Sequence, residues 1–222
     1  MNFTLERVTQ PDIEPVTLVE MKRYLRCFSG VTDEDEDITA LIVAAREWVE
    51  DYSARALIDQ TWRLTIEGHL HGDRVLGFDA PRFIGGFGRL EWMRWMRRGE
   101  ILLRRAPVIE ITSFTSIDAA GVVADIDPAC YALREEDSKW PRLVPTSGTT
   151  WTTGTLKIEF RAGFANRSGS PKQDASVVPA RFKQAMKLWT EAAYDRDPVM
   201  MPLLLNVAEQ LMKPERADLS IA

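Results

Sequence analysis

Pro15 to Glu67 reads PVTLVEMKRYLRCFSGVTDEDEDITALIVAAREWVEDYSARALIDQTWRLTIE. Two helices followed by a strand are written into this stretch. Thr17 and Glu20 have the spacing of a capping box, in which each side chain satisfies an amide left open by the first turn. Leu18, Met21 and Leu25 then mark one apolar face of a first helix. After the acidic run Asp33-Glu34-Asp35-Glu36-Asp37, the residues Ile38, Leu41, Ile42, Ala45, Val49 and Tyr52 recur at helical spacing and predict a longer second helix. Arg55-Ala56-Leu57-Ile58 closes it. Gln60 to Glu67 alternates apolar and polar side chains as a half-buried strand does.

Downstream the period stays at two. Strands are expected over residues 60–67, 100–104, 109–117, 122–126, 131–134, 142–145 and 155–161, with Gly121 and Asp118 in a turn between two of them. Short strands separated by Gly and Pro turns predict an antiparallel layer, since parallel βαβ units need helical crossovers. Residues 68–99 depart from the pattern. Seven glycines alternate there with Phe78, Phe83, Phe87, Trp92 and Trp95, which reads as a long aromatic, arginine-rich excursion. Helical spacing resumes after a polar loop at 164–177. Pro179 suits a first turn, Phe182, Ala185, Met186, Trp189 and Ala193 form a buried stripe, and Asp197-Pro198 ends the helix. Leu203, Leu204, Val207 and Leu211 predict a last helix stopping at Pro214. Residues 1–14 and the final residues to Ala222 are expected to be loosely held.

The expected architecture is α+β. Helices from residues 1–59 and 164–222 form a bundle, and an antiparallel β region, residues 60–163, is inserted between them. Trp48, Trp62 and Trp189 are candidates for core shared by the parts. A mass of 25.2 kDa allows a folded surface of roughly 10,000 Å² against about 36,000 Å² for the extended chain, so no disulfide or metal staple is required. Cys27 and Cys130 are expected to be reduced structural thiols. The N-terminus lacks the order of a signal peptide, and no apolar run approaches the roughly 20 residues that span a bilayer. A soluble, non-membrane chain is expected.

Several chemistries find no support in the residues. Gly-x-Ser-x-Gly is absent, and the Gly85-Gly86-x-Gly88 cluster lacks the Lys-Ser/Thr of a phosphate loop. His69 and His71 flank Leu70 without further ligands nearby and read as loop histidines. The acidic run lacks the frame of a calcium loop. It reads as a helix entrance in which Asp35 or Asp37 caps the second helix and the other acids sit near its positive end. No enzyme activity, metal or cofactor is expected.

Charge is unevenly placed. The net charge is −5, yet Arg82 to Arg105 contains seven arginines and two acids, Glu91 and Glu100. Trp92-Met93-Arg94-Trp95-Met96-Arg97-Arg98 interleaves aromatic and cationic side chains. Such a segment suits a protein–protein hot spot, a hairpin over its own core, or stacking on single-stranded nucleic acid.

The order of these pieces resembles the head-tail connector (adaptor or head-completion) proteins of tailed bacteriophages and gene transfer agents. The matching pieces are Pro15 to Glu20, Arg55 to Trp62, Leu103 to Val108 with Ile111-Thr112-Ser113, Tyr131 to Leu133, Trp140 to Pro145, Ile158 to Phe164 and Val178-Pro179. The excursion at 68–99 is longer than such proteins lead one to expect. The resemblance implies a structural component of the virion neck, assembled in the host cytoplasm. It implies a homo-oligomeric ring, usually of twelve subunits, that sits on the portal protein, extends the DNA channel without gripping DNA, and carries the next neck or tail-completion protein. Residue candidates follow. Asp33, Glu34, Asp35, Glu36 and Asp37 of one subunit are expected to face Trp92, Arg94, Trp95, Arg97 and Arg98 of the next. Leu203, Leu204, Val207, Leu211 and Met212 are expected to dock on the portal, so that removing residues after Pro202 leaves a soluble protein unable to join portal-bearing heads. Two other classes remain open. One is a β-rich carbohydrate-binding module using Trp92, Trp95, Trp140 and Trp151, and the other is a nucleic-acid-binding protein using the arginine segment.

Overall fold

The computed structural model describes residues 2–27, 30, 32–67, 99–146, 151, 154–165 and 173–216. Among them are four α-helices and two antiparallel sheets, so the chain is α+β. It divides into two compact units. The described parts of Met1–Gln10 and Gln60–Ala162 form a sheet unit, and Pro11–Asp59 with Gly163–Arg216 form a helical unit.

The sheet unit contains β1 (Asn2–Arg7), β2 (Gln60–Glu67), β3 (Ile101–Leu102), β4 (Val108–Ile117), β5 (Val123–Asp125), β6 (Tyr131–Arg134), β7 (Arg142–Pro145) and β8 (Thr155–Ala162). Five strands run in the order β1-β2-β8-β4-β5, and β3-β7-β6 form the second sheet. The alternation read from residues 60–67 is real. Trp62, Leu64 and Ile66 are buried, and they pair across to Phe160, Ile158 and Leu156 of β8. Each such pair removes two large apolar side chains from water on one face of the sheet, and that fixes the register. The β4 strand bulges twice against β8, between Val108 and Glu110 and between Ile111 and Ser113. The turn into β5 is built by Asp118, whose Oδ1 accepts the amides of Ala120 (2.8 Å) and Val122 (2.9 Å), while Gly121 takes φ +82°.

Residues 2–7 correct an expectation. They are not loosely held but form β1, paired with β2 from Asn2↔Glu67 to Arg7↔Trp62. Pro11 and Pro15 point to an irregular lead-in, although Phe3 and Leu5 alternate with Thr4 and Glu6 as strand residues do. The partner β2 supplies the missing hydrogen bonds, and Arg104 lies over the Phe3 ring at 5.6 Å.

The helical unit holds α1 (Leu18–Tyr24), α2 (Asp35–Ser53), α3 (Ala180–Asp195) and α4 (Met200–Met212). The capping box of α1 is present. Thr17 Oγ1 accepts the Glu20 amide at 3.2 Å, and Glu20 Oε2 accepts the Thr17 amide at 3.0 Å. One core unites helices from distant parts of the chain: Met21 of α1, Ile38, Ile42, Ala45 and Val49 of α2, Phe182, Ala185 and Met186 of α3, and Ala208 and Met212 of α4. Trp48 and Trp189 meet each other in this unit at 6.5 Å. Trp62 belongs to the sheet unit, where the guanidiniums of Arg7 and Arg105 lie 5.1 and 4.5 Å from its ring. Pro179 stands just before α3 as its N-cap residue, and Arg196 ends that helix in the left-handed region (φ 51°). The stretch read as a loop at 164–177 contains a short 3-10 turn, Ala175–Val177, started by Asp174 Oδ1 accepting the Ser176 amide at 2.8 Å.

Candidate functional surface

The acidic run opens α2, but not by the expected cap. Glu34 is the N-cap residue and makes no side-chain cap bond. Asp35 lies inside the first turn, where its carboxylate takes the nearly buried Lys22 ammonium at 2.6 Å. Glu34 Oε2 accepts the Tyr194 hydroxyl at 2.6 Å, and Cys27 Sγ lies 3.6 Å from the same hydroxyl. The carboxylate of Glu34, with the Cys27 thiol, raises the Tyr194 phenol above its ordinary range. Two acids of the run are therefore used to tie α1, α2 and α3 together. Asp33, Glu36 and Asp37 remain exposed. The thiols of Cys27 and Cys130 are free and half-buried.

The Tyr194–Glu34 bond also places the turn between α3 and α4 beside the start of α2. Asp197 holds that turn: its Oδ1 accepts the amides of Val199 (2.8 Å) and Met200 (3.3 Å), and its carbonyl accepts the Met201 amide (2.9 Å). Asp195 and Asp197 add carboxylates to this end of the unit, and Arg26 and Arg196 are exposed cations in the adjoining loops.

The structure divides the apolar set of α4. Met212 is fully buried, and Leu204 and Leu211 pack against the core. Leu203 is 55% exposed and Val207 50%. The first three hold the helix in place, because α4 is short and covers the core with one face only. A chain cut after Pro202 loses Ala208 and Met212 from the core, as well as the Arg55–Glu215 (3.2 Å) and Arg181–Glu215 (2.8 Å) ion pairs. That truncation is expected to unfold the helical unit, contrary to the expectation from sequence.

A buried polar network went unread in the sequence. Arg46 is 2% exposed and pairs with Glu14 (2.9 Å) and with Glu50 (3.0 Å), which is itself fully buried. The other oxygen of Glu50 accepts the Leu57 amide at 2.8 Å, which secures the turn after α2. Burial pushes the Glu14 carboxyl above its usual range despite the opposing pull of Arg46. Gln173 binds Asp12, accepting its amide at 3.0 Å, and also donates to the Asp59 carbonyl at 3.3 Å. The only hint in the sequence was a charged pair at i and i+4 beside the buried stripe of α2, a spacing equally common on solvated faces.

Trp92, Arg94, Trp95, Arg97, Arg98, His69 and His71 lie outside the described residues. Trp151, a candidate stacking platform, is buried instead: its ring lies 5.2 Å from Phe114, and its indole N–H donates to the Gly99 carbonyl. Trp140 is half-buried. Among the described residues, no group of three or more His, Cys, Asp or Glu side chains has the geometry to hold a metal, and no helix is long and apolar enough to cross a membrane.

No family model matches the chain, and no curated protein matches it significantly. Solved structures do. A chain from the neck of an empty gene transfer agent particle, computed with sixfold symmetry, superposes with a TM-score of 0.67 at 22% identity, covering 99% of this chain and 96% of that one. A chain from the virion of a native gene transfer agent particle gives 0.66 at 22% identity over 98% and 96%. One from the neck of the native particle, computed with twelvefold symmetry, gives 0.66 at 21% identity over 99% and 96%. These neighbours agree with the connector resemblance carried by the sequence motifs. Over nearly its full length, this chain shares the fold of chains that build the neck of gene transfer agent particles.

Proposed function

We propose that this chain is a structural protein of the virion neck, a head-tail connector that forms a ring on the portal vertex, lengthens the DNA channel and carries the next neck or tail protein. The observation that carries the reading is the whole-chain fold likeness to neck chains, in particles computed with sixfold and twelvefold symmetry. The chain works by surface complementarity and turns over no substrate. A closed ring needs two different patches per subunit that meet head to tail. The exposed acids at the start of α2 and the arginine-rich segment before Gly99 supply patches of opposite charge. Portal docking falls to the exposed side of α4, Leu203 and Val207. Many such weak contacts to a symmetric portal add up through avidity.

The test is electron microscopy of the purified protein mixed with portal-bearing heads. Rings seated on the portal vertex are expected. A protein that stays monomeric beside intact portals overturns the reading.

A further inference from the structure

The acidic start of α2 does not stand alone on its surface. The turn that Tyr194 and Glu34 pin beside it carries three exposed apolar side chains in succession: Val199 (69%), Met200 (46%) and Met201 (41%). Unpaired apolar side chains grouped on a surface mark contact sites. Asp197 shapes the backbone that presents them by accepting the amides of Val199 and Met200. Glu34 joins Tyr194 to the helix start that carries the exposed carboxylates of Asp33, Glu36 and Asp37, and Asp195 follows Tyr194 directly; Arg26 and Arg196 are the exposed cations of the adjoining loops.

We propose that this apolar turn, together with the acids at the start of α2, is the seat for the Trp92–Arg98 segment of a neighbouring copy of the same chain. The inference rests on the connector reading and names the two faces of its ring contact. The occupant is argued from chemistry. Trp92, Met93, Trp95 and Met96 are the apolar complement of Val199, Met200 and Met201. Arg94, Arg97 and Arg98 complement the exposed carboxylates of Asp33, Glu36 and Asp37, and Trp and Arg are the side chains that concentrate binding energy at interfaces. Because seat and occupant are different surfaces, each subunit offers one to each neighbour, the condition for a closed ring.

The experiment uses the full chain on portal-bearing heads, with rings counted by electron microscopy and folding checked by circular dichroism and thermal melting. One variant is Asp33→Lys with Glu36→Lys and Asp37→Lys. A second is Arg94→Glu with Arg97→Glu and Arg98→Glu. A third is Val199→Ser with Met201→Ser. Each is expected to fold normally and to give at least tenfold fewer rings. Combining the first two is expected to restore assembly, since the charges then match again with their signs exchanged. Rings at wild-type frequency in the single-patch variants, or no rescue by the combined exchange, overturn this contact while leaving the connector function standing. Failure of the unaltered protein to form rings overturns both.

Discussion

Arg46 sits beneath the surface of the helical unit between two carboxylates, Glu14 and the fully buried Glu50. Removing a single partner from such a cluster strands a charge in a medium that solvates it poorly. Arg46→Met is therefore expected to cost about 3–5 kcal/mol, measured by urea denaturation. Adding Glu50→Gln is expected to recover part of the loss, since glutamine keeps the acceptor for the Leu57 amide and removes the charge. A second prediction concerns Tyr24, whose hydroxyl donates to Glu191 at 2.8 Å. Burial, followed by that carboxylate, pushes its phenol up to about 12. The folded state thus keeps the Tyr24 proton after the unfolded chain, with its phenol near 10, has lost it. The associated stability is complete below about pH 10 and is lost as the pH rises toward 12. Tyr24→Phe should flatten the decline of stability in that window, and the wild-type absorbance titration should show a tyrosine ionising late. Neither cluster was legible from residue types. The partners of Tyr24 and of Arg46's Glu14 lie 167 and 32 residues away, beyond any local pattern.

At the scale of elements, α4 separates two roles along thirteen residues. Met212→Ala leaves a cavity under the helix and is expected to cost about 2–5 kcal/mol. Leu203→Ser changes an exposed side chain and is expected to shift stability by no more than about 0.5 kcal/mol, while reducing attachment to portal-bearing heads. Denaturation midpoints and a co-sedimentation assay check the pair. The stripe of α4 was readable in the sequence, but both its faces are apolar, so periodicity alone did not say which one the core takes. Helix α2 posed no such problem, because Glu36, Asp37 and Thr39 oppose Ile38 and Ile42. Strand limits came through well for the same reason: β2, β6 and β7 begin and end where the alternation does. The link from β8 to the helical unit is stricter still. Gly163 has φ +144°, and a Cβ there would lie 2.3 Å from the Ile58 carbonyl oxygen. Gly163→Ala is expected to destabilise by about 3 kcal/mol or more, seen as a loss of the cooperative thermal transition.

For the molecule as a whole, charge decides how it treats its surroundings. A net charge of −5 opposes general adhesion to DNA. The protein is expected not to retard linear duplex DNA at 0.15 M salt. The proposed contact between opposite charges predicts that ring assembly weakens as salt shortens the screening length from about 10 Å at 0.1 M to about 3 Å at 1 M, a trend electron microscopy can follow. The sequence by itself determined the elements, because helix and strand periods and caps are local: the capping box of Thr17, the stripe of α2, the alternation of β2 and β8. It also placed the motifs whose order resembles connector proteins. Only the tertiary structure decided that residues 2–7 are an edge strand, that Asp35 is bound to Lys22, and that Met212 is core. It alone tied Tyr194, which precedes the turn to Val199–Met201, to Glu34 at the start of α2. Those outcomes depend on which distant surfaces meet, and burial acts between surfaces without regard to their distance along the chain.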